Sequence, residues 1–198
     1  MHIGNEQEYS HQKGVVVAMK KIAYISFILC VCLVLSACSS FQNLFGNNPR
    51  SGLTEHEFQG VTFYLPAEFS QSNIFADSNK GRIQFTNSAG IEVMVSVNEA
   101  SYIAQYFDAE VVDAQGYAQI YADSYKAESI PATLSSKQNT PYITLRANNE
   151  GITQYGVLGF YYSNGYCACI SAYTDSESIF NQNEGAMIDY VTLAAFQR

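Results

Sequence analysis

Hydrophobic and polar positions alternate in the first part of the chain, and this period of two predicts β-strands. Val61, Phe63 and Leu65 alternate with more polar neighbours up to Pro66, which ends the strand because proline cannot donate a ladder hydrogen bond. Within 81–100, two alternating runs flank the sequence Asn-Ser-Ala-Gly. Such a group of turn residues between alternating runs predicts a β-hairpin.

The alternation returns in the second half of the chain and predicts a three-stranded antiparallel meander. Groups of turn residues at 148–151 and 163–165 separate its strands. The predicted strands cover 141–147, 152–162 and 166–174.

Two stretches change to the helical period of 3.6 residues. The stretch 116–128 carries apolar residues along one helical face: Tyr117, Ile120, Tyr121 and Tyr125. The stretch 175–196 predicts a C-terminal helix. Asp175, Ser176 or Ser178 would cap it, because each has a side-chain oxygen that can accept from the first free N–H groups.

The order of these elements predicts the fold class. Hairpins, a helix, a meander and a final helix indicate an α+β fold, an antiparallel sheet built of hairpins with helices packed on it. Residues 100–113 add a short helix and a connector. The composition does not change along the rest of the chain, so 53–198 is predicted to be a single globular domain.

The apolar positions near the start of this domain form the pattern F-x-x-V-x-F-x-L-P-x-x-F. The residues are Phe58, Val61, Phe63, Leu65, Pro66 and Phe69. Together with the central helix, the last hairpin and the terminal helix ending VTLAAF, this pattern resembles the PsbP-like family. The resemblance implies an α/β/α sandwich and a mostly non-enzymatic family, and it carries over no catalytic residue.

The N-terminal part of the chain has the features of a secretory signal. After Met19, Lys20 and Lys21 form a positive region, and an uncharged, mostly apolar stretch follows from Ile22 to Leu35. This stretch has the length of a signal-peptide core and is shorter than the ~20 residues that a bilayer span needs.

The apolar stretch ends in Leu35-Ser36-Ala37-Cys38, which resembles the lipobox of bacterial lipoproteins. The resemblance implies diacylglycerol on Cys38 and removal of 19–37 as the signal peptide. Two acyl chains give the stable membrane anchoring that one chain does not. The expected location is the extracytoplasmic face of a cell membrane, either a single membrane or a periplasmic surface. The alternative is a signal anchor with an incidental cysteine.

The segments on either side of the signal are also assigned. Residues 1–18 are polar and precede the positive region, so they are interpreted as a leader from a start called too early. Residues 38–52, rich in Ser, Asn and Gly, are interpreted as the lipidated cysteine and a flexible tether. Alternatively, Phe41, Leu44 and Phe45 lie on the membrane surface.

Charge and motifs limit the function classes. The formal net charge is −8 and the pI about 4.7, with no basic stripe, which disfavours nucleic-acid binding. No nucleophile elbow, phosphate loop, HExxH motif or dinucleotide fingerprint occurs. We therefore expect no cofactor, no metal site, no catalytic residue and no enzyme activity.

A few residues remain as candidates for chemistry. His56, the one histidine after Cys38, is interpreted as exposed and hydrated between two glutamates. Cys167 and Cys169 lie on the same face of a strand and are interpreted as buried structural thiols, with a metal or redox role as the alternative. The acidic group Asp108, Glu110 and Asp113 is interpreted as a solvated connector, with calcium binding as the alternative.

Tyrosine is the one residue type in excess, and four tyrosines crowd the last hairpin: Tyr161, Tyr162, Tyr166 and Tyr173. They form the candidate surface for a ligand or partner, since tyrosine is common in binding surfaces as well as in strands. The sequence thus predicts a membrane-anchored, non-enzymatic lipoprotein that binds a partner protein or supports an envelope assembly. The alternative is a module that binds a small ligand or glycan through the tyrosines.

Overall fold

The computed structural model describes residues 50–72, 81–149 and 152–198. The predicted leader 1–18, the signal peptide 19–37 and the lipidation site Cys38 lie outside the described residues, as does the tether up to residue 49. Residues 52–198 form one compact unit.

The described residues form ten strands and three helices. The strands are β1 (Leu53–Phe58), β2 (Val61–Pro66), β3 (Ser70–Ser72), β4 (Arg82–Thr86), β5 (Glu92–Glu99), β6 (Ala132–Lys137), β7 (Thr140–Asn149), β8 (Ile152–Ser163), β9 (Tyr166–Thr174) and β10 (Ala195–Phe196). The helices are α1 (Ala100–Phe107), α2 (Ala114–Ala127) and α3 (Glu177–Thr192).

The strands form two antiparallel sheets. The larger is seven-stranded in the order β3-β4-β5-β9-β8-β7-β6, and the smaller is three-stranded in the order β1-β2-β10. All neighbouring strands within them run antiparallel. The α+β fold class predicted from the sequence is therefore confirmed.

Side-chain alternation gives the seven-stranded sheet two buried faces. On the first face, apolar residues of β5, β8 and β9 pack against α3 and β2 in one core: Val93, Val95, Val157, Ile170, Met187, Val191 and Phe63. On the second face, Ile143, Phe160, Cys167 and Cys169 pack against α1 and α2 in another core. The result is a three-layer arrangement with the large sheet in the middle.

Several predicted elements are found where the local signals place them. The predicted hairpin of 81–100 is β4 and β5, and its turn is held by Asn87, whose Oδ1 accepts from the backbone N–H of Ile91 at 3.0 Å. Of the three candidate caps of α3, Ser176 is the cap, and its Oγ accepts from Ile179 N at 3.4 Å.

Three parts of the prediction are wrong or incomplete. The three predicted strands of the meander are β7, β8 and β9, but a fourth strand, β6, precedes β7 and pairs with it. The C-terminal helix ends at Thr192 and not at residue 196, since the chain then turns and β10 pairs with β2. The strand β1, which pairs with β2 along its length, was not predicted at all.

On the first face, the backbones of α3 and β8 are in direct contact. A Cβ atom placed on Gly159 would lie 2.1 Å from the carbonyl oxygen of Val191 in α3, so only glycine fits there. Two residues further along β8, the hydroxyl of Tyr161 donates to the same Val191 oxygen at 2.7 Å. These two contacts fix the position of α3 on the sheet.

Within the described part of the chain, no helix is both long enough and apolar enough to cross a membrane.

Candidate functional site

The short helix α1 is held firmly to the second face of the sheet. The backbone N–H of Ala100, its first residue, donates to the carbonyl of Gly165 in the turn between β8 and β9 at 2.8 Å. Ile103 is buried in the second core, as is Val111 in the connector after the helix, and Phe107 packs against them. The ring of Phe107 also contacts the ring of Tyr121 in α2, with a centroid distance of 5.1 Å.

This anchoring turns two tyrosines of α1 outward. Ile103 and Phe107 face the core at a spacing of four residues, so Tyr102 and Tyr106, one position earlier, share the outer side of the helix. The exposed fraction is 59% for Tyr102 and 73% for Tyr106. Val112 in the connector is 61% exposed. Single exposed apolar side chains are common on protein surfaces, whereas neighbouring ones often mark an interaction site.

Exposed carboxylates surround these apolar residues in the sequence: Glu99, Asp108, Glu110 and Asp113. Between Arg82 and Lys126 the sequence contains no basic residue. We call the exposed set of Tyr102, Tyr106, Val112 and these four carboxylates the tyrosine–acid surface.

Two of the carboxylates also shape the backbone. Asp113 caps α2 through its Oδ1, which accepts from Gly116 N at 2.6 Å. Asp108 ends α1 in the left-handed conformation, with φ of 51°. Aspartate tolerates this region better than most residues because its short polar side chain can bond locally. Among the described residues, no group of three or more His, Cys, Asp or Glu side chains is arranged to hold a metal ion.

The four tyrosines predicted as a ligand or partner surface do not lie together. Tyr161 is buried on the first face, where its hydroxyl bonds α3. Tyr162, its neighbour, packs on the second face with the core under α1 and α2. Because successive residues of a strand point to opposite faces, the sheet separates these two side chains.

The other two predicted tyrosines are each engaged within the domain. The guanidinium of Arg198 lies over the ring of Tyr166, 4.0 Å from its centroid. The hydroxyl of Tyr173 donates to Glu92 Oε2 at 2.8 Å, and burial together with that carboxylate raises the pKa of Tyr173. The four residues therefore form no contiguous surface, and binding of a ligand or partner at any of them stays a prediction.

The two cysteines lie where the alternation of β9 places them. Cys167 and Cys169 are both buried free thiols in the core of the second face. Burial raises the pKa of Cys167 to about 11 and that of Cys169 to about 12. Since the thiolate is the form that attacks or binds a metal, these sites disfavour thiol reactivity at neutral pH.

The interpretation of His56 as an exposed, hydrated residue is wrong. Its ring is half-buried between Phe63 of β2 and Phe85 of β4, with centroid distances of 5.4 and 4.7 Å. Its Nε2 is buried without a hydrogen-bond partner, and burial lowers its pKa. The two flanking glutamates are exposed, and Glu55 accepts a hydrogen bond from the hydroxyl of Tyr64 at 2.9 Å.

The sequence prediction missed the tyrosines of α1. It identified the acidic group of Asp108, Glu110 and Asp113 but looked for tyrosines only in the last hairpin. A usable signal was present in the sequence. Ile103 and Phe107 mark the inner side of a short helix, which leaves Tyr102 and Tyr106 outside.

No protein-family model matches the chain, and no curated protein matches it. Among solved structures, the chain is similar to the cyanobacterial PsbP protein (CyanoP) of Synechocystis sp. PCC 6803, with a TM-score of 0.48 and 12% identity over 76% of this chain and 95% of that one. It is also similar to the Ran-binding protein Mog1p of Saccharomyces cerevisiae, with a TM-score of 0.46 and 12% identity over 68% of this chain and 83% of that one. The likeness is one of fold alone.

Proposed function

We propose that this chain is a lipid-anchored protein of a bacterial cell envelope, and that it binds a partner protein without catalysing a reaction. The observation that carries the anchoring part is the lipobox at Leu35–Cys38, placed directly after an apolar core and a pair of lysines. Every position of the box fits the lipoprotein pattern, and the anchor it implies carries two acyl chains.

The spacing between the anchor and the domain supports a role close to the membrane. The first strand begins at Leu53, so the chain between Cys38 and this strand can span no more than about 50 Å when fully extended. A partner of the anchored domain would therefore be a membrane protein or another component that lies near the membrane surface.

Packing supports a binding role over a catalytic one. The one histidine of the domain packs between two phenylalanine rings, and the two thiols of the domain are buried with raised pKa values. Residues that often carry acid–base or nucleophilic chemistry thus serve the cores of this domain.

Substitution of the lipobox cysteine tests the anchoring. Cys38→Ser is compared with Cys32→Ser, a matched change in the apolar core, in a bacterium that processes lipoproteins and is fed an alkyne-labelled fatty acid. We expect the label in the parent and in Cys32→Ser, and none in Cys38→Ser. Fatty-acid labelling is the deciding measurement, because an unprocessed chain can stay in the membrane through its apolar segment and membrane location alone would not show lipidation. Equal labelling of Cys38→Ser would refute the anchor.

A further inference from the structure

We propose that the tyrosine–acid surface is the docking site for a partner protein, and that the docked segment combines Lys or Arg residues with apolar side chains. This inference rests on the proposed function, because it names the part of the domain that binds and the chemistry of what is bound. It concerns a region that lies apart from the lipid anchor in the sequence.

The α1 tyrosines supply the apolar contact area of the proposed site. Tyr102 and Tyr106 are four residues apart on a helix, so their side chains are neighbours about 6 Å apart at the Cβ atoms. Protein interfaces are enriched in tyrosine, whose ring gives a large contact area with few rotatable bonds. The aromatic ring also attracts a guanidinium or ammonium group placed over its face.

The platform under these rings is already ordered. Ile103 and Val111 are buried and the first N–H of α1 is bonded to the β8–β9 turn, so the helix does not have to fold when a partner arrives. Preorganisation lowers the entropy cost of binding, so that a small number of contacting residues can be enough for a partner to bind.

Charge complementarity determines the chemistry of the partner. No described lysine or arginine forms an ion pair with the four carboxylates of this surface. One of them, Glu99, accepts a hydrogen bond from Ser101 Oγ at 3.2 Å. Two other carboxylates of the domain do pair with bases: Asp189 with Lys137, and Glu177 with Arg146 at 3.7 Å. The tyrosine–acid surface therefore has uncompensated negative charge, and a basic partner would be attracted to it and steered onto it.

The same charge disfavours two other occupants. A membrane leaflet with anionic lipids would repel these four carboxylates, and the exposed tyrosines alone would have to offset that repulsion. A second copy of the chain, docked by two-fold symmetry, would place the same carboxylates against each other. A basic segment of a different protein has neither problem.

The test uses the full chain in detergent and a synthetic helical peptide of leucines and arginines. A peptide of leucines and glutamates is the charge-reversed control. Fluorescence anisotropy of the labelled peptide measures the dissociation constant. The two surface variants are Tyr102→Ala/Tyr106→Ala and Asp108→Asn/Glu110→Gln. Asp113 is kept because it caps α2, and asparagine is chosen at 108 because it tolerates the left-handed backbone. The matched charge control is Asp175→Asn/Glu184→Gln, with one position just before α3 and one within it.

We expect the arginine peptide to bind and the glutamate peptide not to bind. Each surface variant should weaken binding by about tenfold or more, as for central interface residues, and the control by less than about twofold. Melting temperatures within a few degrees of the parent would show that the variants fold. Absence of arginine-peptide binding, or equal losses in the surface and control variants, would overturn the proposal.

Two further arms separate this proposal from the others. The Cys38→Ser chain should bind the arginine peptide as the parent does, so failure of the anchor and failure of the docking site give different results. Vesicles containing phosphatidylglycerol should bind the Cys38→Ser chain through its apolar segment alone, equally with and without Tyr102→Ala/Tyr106→Ala. Binding that is lost in Tyr102→Ala/Tyr106→Ala would assign the surface to the membrane and overturn the partner assignment.

Discussion

The two layers that cover the seven-stranded sheet are built differently. On the first face, the fully buried apolar residues of α3 are Met187 and Val191, and the helix comes so close that Gly159 has no room for a Cβ atom. On the second face, α1 and α2 pack mainly through aromatic rings, with Tyr117 and Tyr121 each about 5 Å from the ring of Phe160. The first layer closes a core, whereas the second ends in a helix with two exposed tyrosines.

The small residues of β9 help to explain the difference. Ala168 and Ala172 lie in the core with α3 and leave room for close packing, while the ring of Phe160 lies in the core under α1 and α2. An aromatic layer presents rings on the inside of the helices and, in α1, on the outside as well. Residue type alone therefore does not mark a binding surface here, because tyrosines lie on both sides of the same layer.

The largest expected effect is a loss of stability when a buried tyrosine of that layer is replaced, compared with an exposed one. Tyr117 is 1% exposed and lies edge-on to Phe160, so Tyr117→Ala leaves a cavity and should lower the free energy of unfolding by about 3–5 kcal/mol. Tyr102→Ala, at an exposed position, should change it by less than about 0.5 kcal/mol. Urea unfolding followed by circular dichroism measures both. Similar losses would contradict the division of the layer into an inner and an outer side.

The next effect tests the close packing of the first face. Gly159→Ala forces a Cβ against the Val191 carbonyl and should lower the free energy of unfolding by about 1–3 kcal/mol. Gly185→Ala is the matched control, because a Cβ there meets nothing within 4 Å. In the middle of α3 this change should raise stability by about 0.5–1 kcal/mol. Thermal unfolding reports the sign of each change, and a tolerated Gly159→Ala would contradict the tight seal.

The smallest effect concerns pH and the aromatic layer. Burial raises the pKa of Tyr121 to about 12, and it also raises the pKa of Tyr117. Above pH 10 the unfolded chain loses protons that the folded domain keeps, so the free energy of unfolding falls as pH rises. The loss is about 1.4 kcal/mol per pH unit for each such tyrosine, up to its folded pKa. Tyr121→Phe should make the fall of the unfolding free energy with pH less steep in a series of urea unfolding experiments. An unchanged dependence on pH would show that burial does not raise the pKa of Tyr121.

Local signals were enough to predict the elements with strong patterns. The β4–β5 hairpin and α2 each follow from a few neighbouring residues, and Ser176 is one of the three caps that the sequence offered for α3. The α+β class follows from their order. The strands β6 and β10 could not be predicted in the same way, because they lie at sheet edges and their side chains give little alternation: β6 has Leu134 as its one large apolar residue, and β10 has two residues in all.

Contacts between distant segments explain the remaining errors. His56 is covered by Phe85, which lies in the other sheet and far along the chain, so no local pattern shows its burial. The tyrosines of the last hairpin could be assigned to strands, but their separation depends on which face each strand buries. The α1 tyrosines could have been assigned to the outside of this short helix, because Ile103 is its buried residue and faces the core.

The proposed docking site of this domain lies on the outer side of α1. Site-specific photocrosslinking in intact cells tests it most directly, with a photoreactive phenylalanine in place of Tyr106 or, as control, of Ile152. Ile152 is 59% exposed and lies at the other end of β8, about 35 Å along the strand from the turn that holds α1. We predict an adduct at 106 but not at 152, to a protein segment that carries Lys or Arg. Equal adducts at both positions, or crosslinks at 106 to phospholipid alone, would contradict the claim.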